Sequence, residues 1–285
     1  MLILLGGKDT EHHHEVLGGE DDSGKLRAVG IVSVLAGCHR ELIANLEAFV
    51  DPAWRGRGIG RALFDWQDGR ARQILAEDGR DLPVTIESRT SSHATERRRL
   101  LAAAGFSPDR TVEHMVRTFG GSERISASSD CDEMGVDLIA FDSSIAEHVR
   151  AVYNRACAEH LGGRQLTASD ATRLAAGADT ELSVVAVTRS DHPIVLGFLL
   201  ARERTDMREG EGAEAWIDAI CTERGWRTTG IGDAMLGHHL AICRDRGIPL
   251  SGIDVDSTRT PAFASWLARN DFFPRTTDIV YTIEI

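Results

Sequence analysis

The sequence predicts an α/β protein of two domains in tandem, each a mixed, mostly antiparallel sheet flanked by helices. Three observations carry this. A Gly-rich turn occurs twice, as "AWRGRGIGRAL" from Ala53 and "GWRTTGIGDAML" from Gly225. The same order of strand-like and helical segments surrounds both copies. The 285 residues suffice for two domains of ordinary size.

The elements follow in order. In the first half, strand-like runs cover roughly residues 14–18 and 28–35, then "LIANLEAFV". After the turn, Ala62, Leu63, Trp66 and Ile74 recur at helical spacing. "LPVTIES" reads as a short strand, "ATERRRLLAAAGF" as a helix and "TVEHMVRTF" as a closing strand. The second half has "AWIDAICT" before its turn and a stripe of Ala234, Leu236, Leu240 and Ile242 after it. "PLSGIDVD", "TPAFASWLARNDFF" and "DIVYTIEI" complete the parallel. Trp54, Gly58, Ile59, Gly60 and Ala62 each recur 172 positions later.

The second half also opens with segments that the first lacks. "VDLIAF" reads as a strand, "SIAEHVRAVYNRACAEH" as an amphipathic helix and "TASDATRLAAG" as a helix capped by Thr167. "LSVVAVT" and "IVLGFLLARE" follow as strands. Residues 120–135, "GGSERISASSDCDEMG", lack apolar periodicity and read as a connection. The expected organisation is a first domain over 1–122 without the opening strand and helices, a linker at 123–134 and a second domain over 135–285.

Composition narrows the function. A net charge of −12 repels phosphate backbones, so nucleic acid is not an expected partner, whereas cationic amines are attracted. No apolar run reaches the length of a membrane span, and the start "MLILLGGKDT" lacks the basic region of a secretory signal. The five cysteines form no CxxC pair, which fits reduced thiols in the cytoplasm.

A strand that ends in a Gly-rich turn and opens a helix presents main-chain N–H groups without intrahelical acceptors, where the helix dipole favours negative charge. Such an end binds phosphate. A P-loop needs a Lys-Ser/Thr pair that neither turn has. The dinucleotide fingerprint GxGxxG fails at Leu63 and at Met235, which disfavours a nicotinamide oxidoreductase. What remains is Arg-x-x-Gly-x-Gly at a strand-to-helix junction.

On "VDPAWRGRGIGRAL" and "CTERGWRTTGIGDAML" the chain resembles the GNAT superfamily of acyltransferases, which bind acetyl-CoA through a motif of this form. The resemblance continues through "LLAAAGF" and "WLARNDFF", the place of that family's YxxxGF segment. It implies two GNAT-like domains with acetyl-CoA as cosubstrate. Arg55, Gly56, Arg57, Gly58, Ile59 and Gly60, and Arg227, Thr228, Thr229, Gly230, Ile231 and Gly232, would hold the CoA pyrophosphate. Phe49–Val50 and Cys221–Thr222 would pair with the pantetheine arm, in a slot where the strand parts from its neighbour. In layout the chain is also similar to tandem members that acetylate a cysteinyl pseudo-disaccharide thiol.

The implied reaction is attack of a small-molecule amine on the thioester. The amine must first lose a proton, and a carboxylate, directly or through water, serves as base. Glu47 and Asp218, on the strands before the turns, are the candidates. They are 171 rather than 172 positions apart, so they share a strand face only if a bulge intervenes. Asp218 is favoured because the second domain keeps the helices expected to wall an acceptor pocket. The family's tyrosine acid is replaced by Leu101 and Leu267, and Asp271 replaces the motif's Gly. Tyr281 is the remaining candidate acid. A non-catalytic acyl-CoA-binding or sensing protein is the alternative that these losses favour.

Other groupings carry less. His12, His13 and His14 alternate sides along an extended chain. His238 and His239 point apart on a helix, and Cys157 with His160 supplies only two ligands, so no metal is expected. Arg97, Arg98 and Arg99 read as a solvated helix face or a contact to a CoA phosphate, and Cys221 as strand packing.

Overall fold

The computed structural model describes residues 2–9, 12–35, 41–119, 130–157, 165–205 and 213–285. The first half runs through strands β1 (Leu2–Asp9), β2 (His12–Glu20), β3 (Leu26–Leu35) and β4 (Leu42–Val50), a 3-10 turn (Pro52–Trp54), helix α1 (Ile59–Asp78), β5 (Val84–Ser91), α2 (Thr95–Ala103) and β6 (Ser107–Thr118). The second half adds α3 (Asp130–Glu133), β7 (Val136–Ala140), α4 (Ala146–Cys157) and α5 (Ala168–Gly177). It then repeats the pattern with β8 (Val184–Thr188), β9 (Val195–Thr205), β10 (Ala213–Thr222), a 3-10 turn (Arg224–Trp226), α6 (Ile231–Asp245), β11 (Leu250–Asp256), α7 (Pro261–Arg269) and β12 (Phe273–Glu284). Beyond the expected elements, Leu2–Asp9 forms a strand that pairs with β2 from Leu2–Gly19 to Asp9–His12. Its short apolar run satisfies one strand but is too brief to stand out as periodicity.

Two compact units result. Unit 1 comprises Met1–Val112, Asp256–Arg259 and Thr276–Ile285; unit 2 comprises Glu113–Val255 and Thr260–Arg275. The strand order in unit 1 is β1-β2-β3-β4-β5-β12, and in unit 2 it is β6-β11-β10-β9-β8-β7. The strand that ends each half of the sequence is therefore counted in the other sheet. β12 runs antiparallel to β5, from Asp278–Ser91 to Glu284–Thr85. The partition differs from one through residues 123–134; residues 120–129 lie outside the described part.

The core of unit 1 lies between β3–β5 and α1 and α2, where Val32, Leu42, Leu46, Phe64, Ile86, Leu101 and Tyr281 are buried. Unit 2 buries both faces of its sheet. Leu199, Ile217, Met235, Leu236 and Leu267 pack with α6 and α7, and Phe141, Val149, Val185 and Phe198 pack with α4. That is why "LSVVAVT" is continuously apolar rather than alternating. Thr167 caps α5 through a capping box with Asp170. His239 is buried; its Nδ1–H donates to the Leu182 carbonyl at 2.9 Å and its Nε2 accepts from the Ser251 hydroxyl. Burial lowers its pKa to about 4, so it stays neutral at ordinary pH.

Since β12 completes the sheet of unit 1, a chain stopped after Arg275 should lose amide protection in β5, while α6 keeps its own. Hydrogen exchange read by mass spectrometry checks this; equal protection of β5 in both chains would contradict the assignment.

Candidate functional site

The repeated turns begin with geometry that only glycine adopts without strain. Gly58 (φ 80°) is the N-cap of α1 and Gly230 (φ 96°) is the N-cap of α6, both left-handed and neither supported by a capping side chain. The first intrahelical bonds are Ala62 N–H to the Gly58 carbonyl and Ala234 N–H to the Gly230 carbonyl, at 3.0 and 2.9 Å. The amides of Ile59 and Gly60, and of Ile231 and Gly232, therefore precede the helical ladder. A Cβ on Gly56 or Gly58 would meet no atom within 4 Å, so open space lies over the first turn. The two turns are braced differently. In unit 1 the Arg57 guanidinium lies 4.7 Å from the Trp54 ring, and Arg27, 5.5 Å from that ring, is tied to Asp51 at 2.7 Å. In unit 2 the Thr229 hydroxyl donates to the Trp226 carbonyl at 2.9 Å.

Below each turn two parallel strands part early. β4 pairs with β5 only from Leu42–Val84 to Asn45–Glu87, and β10 with β11 only from Glu214–Leu250 to Trp216–Gly252. The remaining lengths of β4 and β10 continue toward the turns beyond that pairing. In unit 1 the Leu46 carbonyl, just past the divergence, accepts from the Ser88 hydroxyl at 3.1 Å. The Arg97 guanidinium donates to Ser88 Oγ at 2.9 Å and reaches the same carbonyl at 3.5 Å. Burial lowers the Arg97 pKa from its usual value.

In unit 2 the corresponding stretch holds Asp218. It is the extra residue of a β-bulge: Ile217 faces Ala201 and Ala219 faces Leu200. β4 pairs with β3 without such a shift across Glu47. The bulge supplies the extra residue that the one-position mismatch between Glu47 and Asp218 requires. Asp218 pairs with Arg202 at 3.0 Å. Burial raises its pKa, and Arg202, Trp216 and Arg204 offset that only in part. Arg204 lies 3.6 Å over the Trp216 ring, and the His114 ring meets it edge-on at 5.2 Å. Glu214, itself buried, holds Arg204 at 2.6 Å and His114 at 3.0 Å. A Cβ on Gly252 would lie 2.1 Å from Glu214 Oε1, so this network needs a strand position without a side chain.

The expected residues thus divide between the units. Glu47, Phe49, Val50 and residues 55–60 belong to unit 1; Asp218, Cys221, Thr222 and residues 227–232 belong to unit 2. Glu47 and Phe49 are exposed on β4. Tyr281 belongs to unit 1, where it is buried opposite Ser88 and its hydroxyl accepts from Arg98 Nε at 3.1 Å. The three arginines at the start of α2 are not a uniform solvated face, since Arg97 and Arg98 reach inward. Leu101 and Leu267 are fully buried. Cys157 and His160 lie outside the residues whose side chains are described, as do His12 and His13. Sequence reasoning missed Trp216, Glu214, His114 and Arg204. The signal was there: Glu214, Trp216 and Asp218 alternate with Ala215 and Ile217, and a glycine interrupts the neighbouring strand.

No protein-family model matches the sequence. The chain is 28% identical over 244 residues to a mycothiol acetyltransferase of Clavibacter sepedonicus, covering 85% of this chain and 74% of that protein. Among solved structures it is similar to a GCN5-related N-acetyltransferase from Sphaerobacter thermophilus, with a TM-score of 0.66, 20% identity, and 94% of this chain and 80% of that one covered. It is also similar to a tandem GNAT protein from the clavulanic acid biosynthesis pathway, with a TM-score of 0.67, 16% identity, and coverage of 97% and 84%.

A side chain at a left-handed N-cap strains the turn and covers its amides. On the reading of the second turn as a cofactor cradle, Gly230→Val should weaken acetyl-CoA binding at least tenfold, about 1.4 kcal/mol, by calorimetry. Unchanged affinity would remove the second turn as a cofactor cradle.

Proposed function

We infer that this chain, built on the tandem fold of the GCN5-related N-acetyltransferases, transfers an acetyl group from acetyl-CoA to an amine on a small molecule, with unit 2 as the catalytic unit. The carrying observation is Asp218: a half-buried carboxyl, set by a bulge into the strand that parts from its neighbour, one turn below a glycine-capped helix start. The amides of residues 227–232 would hold the pyrophosphate, and the free edge of β10 would take the pantetheine arm. Asp218, directly or through water, removes the proton from the acceptor ammonium. The neutral amine attacks the thioester carbonyl, the carbon–sulfur bond breaks and the CoA thiolate takes a proton from solvent. Tyr281 has no part in this sequence, being in the core of unit 1.

Unit 1 is the supporting unit in this reading. Its Leu46 carbonyl, where an arm would pair, already accepts from Ser88, with Arg97 alongside. The finer assignment of the acceptor is the amine of a cysteinyl pseudo-disaccharide thiol, supported by the likeness to the Clavibacter mycothiol acetyltransferase. A second reading, an acyl-CoA binder without turnover, draws on Leu101 and Leu267, buried where the family carries its acid. Thiol release from acetyl-CoA with a panel of primary amines separates the two: CoA binding without release supports the binder.

Asp218→Asn should lower kcat by about 10²–10⁴-fold and leave acetyl-CoA affinity unchanged. In the wild-type chain the base works ionised, so log kcat/KM should fall as pH falls through the Asp218 pKa. Burial raises that pKa, so the fall should start above the ordinary carboxylate range. A rate flat across that range would remove Asp218 as the base.

A further inference from the structure

Past the last shared pair of β4 and β5 the next residues are Leu46 and Ser88; past that of β10 and β11 they are Ile217 and Ile253. Leu101 in α2 and Leu267 in α7 hold the same place in the two halves, so Arg97, four positions earlier, answers to Phe263. At both places where unit 1 carries a hydrogen-bond donor, unit 2 carries a side chain with none. The difference falls on the strand atom that the parting leaves without a ladder partner. A carbonyl oxygen has two lone pairs. At Leu46 the Ser88 hydroxyl donates to that oxygen at 3.1 Å, and the Arg97 guanidinium reaches it at 3.5 Å while donating to Ser88 Oγ at 2.9 Å. Burial disfavours the charged form of Arg97, and the nearby charge of Glu47 offsets that only in part. Arg97 forms no ion pair among the described residues, so its hydrogen bonds at the slot are what compensate for drawing it inward.

We propose that Arg97 and Ser88 plug the slot of unit 1: their donors stand where the amide N–H of a pantetheine arm would bond β4, so the chain takes a single acetyl-CoA, in unit 2. This rests on the reading of both slots as arm sites, to which it adds a stoichiometry and a closed copy of the site. An arm amide would need to come within about 2.9 Å of the Leu46 oxygen, where the hydroxyl and the guanidinium already converge. To enter, the arm must displace both and leave the guanidinium without its acceptors. In unit 2 Ile253 and Phe263 offer no such competition, and the Phe263 ring stacks on Trp266 at 5.5 Å instead. The plug acts on the arm and not on the turn, since open space remains over Gly56 and Gly58.

The test titrates acetyl-CoA into the full chain by calorimetry and follows amide exchange at saturation by mass spectrometry. Wild-type protein should bind one equivalent, with exchange slowed along residues 217–222 and unchanged along residues 46–50. The double variant Ser88→Ala/Arg97→Ala should bind two equivalents and gain protection along residues 46–50. Adding Gly58→Val to it should return the count to one. Two equivalents in the wild-type chain, or slowed exchange along its residues 46–50, overturns the plug and leaves the cofactor reading standing. A single equivalent in a double variant whose circular dichroism matches wild type overturns it as well. If that variant does not fold, the wild-type exchange pattern decides. No binding to either chain removes the arm reading itself, and the plug with it.

Discussion

The early parting of two parallel strands governs both units. Main-chain N–H and C=O groups beyond the last shared pair must find partners, since a buried unpaired group costs about as much as a lost hydrogen bond. Beyond Asn45–Glu87 and Trp216–Gly252 that demand is met locally or left to a ligand. The Gly-capped turns stand at the end of the same strands, so a free strand edge leads directly to a ring of helix-start amides. In the proposed function, phosphate and arm recognition would be one feature, produced by a chain that stops pairing and then turns sharply.

The two copies answer the demand differently. In unit 1 Ser88 and Arg97 converge on the Leu46 carbonyl, and β4 runs without a bulge. In unit 2 a bulge places Asp218 in the corresponding stretch, where Arg202 pairs with it, while Arg204 and His114 pack on the neighbouring Trp216 ring. The two copies thus share the backbone device and differ in their side chains. The turns diverged as well: Arg57 against Trp54 in one, a threonine hydroxyl bonded to the Trp226 carbonyl in the other.

Most elements were legible because each carries a local cause. The Gly-x-Gly turns need positive φ, Thr167 needs an amide to cap, and β8 is apolar throughout because helices cover its sheet on both sides. The bulge was legible as a mismatch of one position between Glu47 and Asp218. What the sequence did not reveal is long-range. That β12 pairs with β5 depends on which of two similar edges receives a similar strand, and "DIVYTIEI" carries no mark of that choice. Tyr281 was for this reason weighed with the second half, whereas its ring is in the core of unit 1. Asp271 was visible as a departure from glycine. The structure gives it a φ of 60°, matching the left-handed Gly105, a conformation that Asp tolerates better than most side chains.

The placement of β12 also bears on how the polypeptide matures. During synthesis β5 emerges long before Thr276–Ile285, the segment that will cover its edge. The nascent first unit must wait at the ribosome with an open strand rich in β-formers, the kind of edge that recruits other chains. Slow elongation or crowding of polysomes would prolong that wait. β12 therefore closes an edge that stays open until Thr276–Ile285 has been made, so the sheet of the first unit is completed only after the second unit's strands have been synthesised.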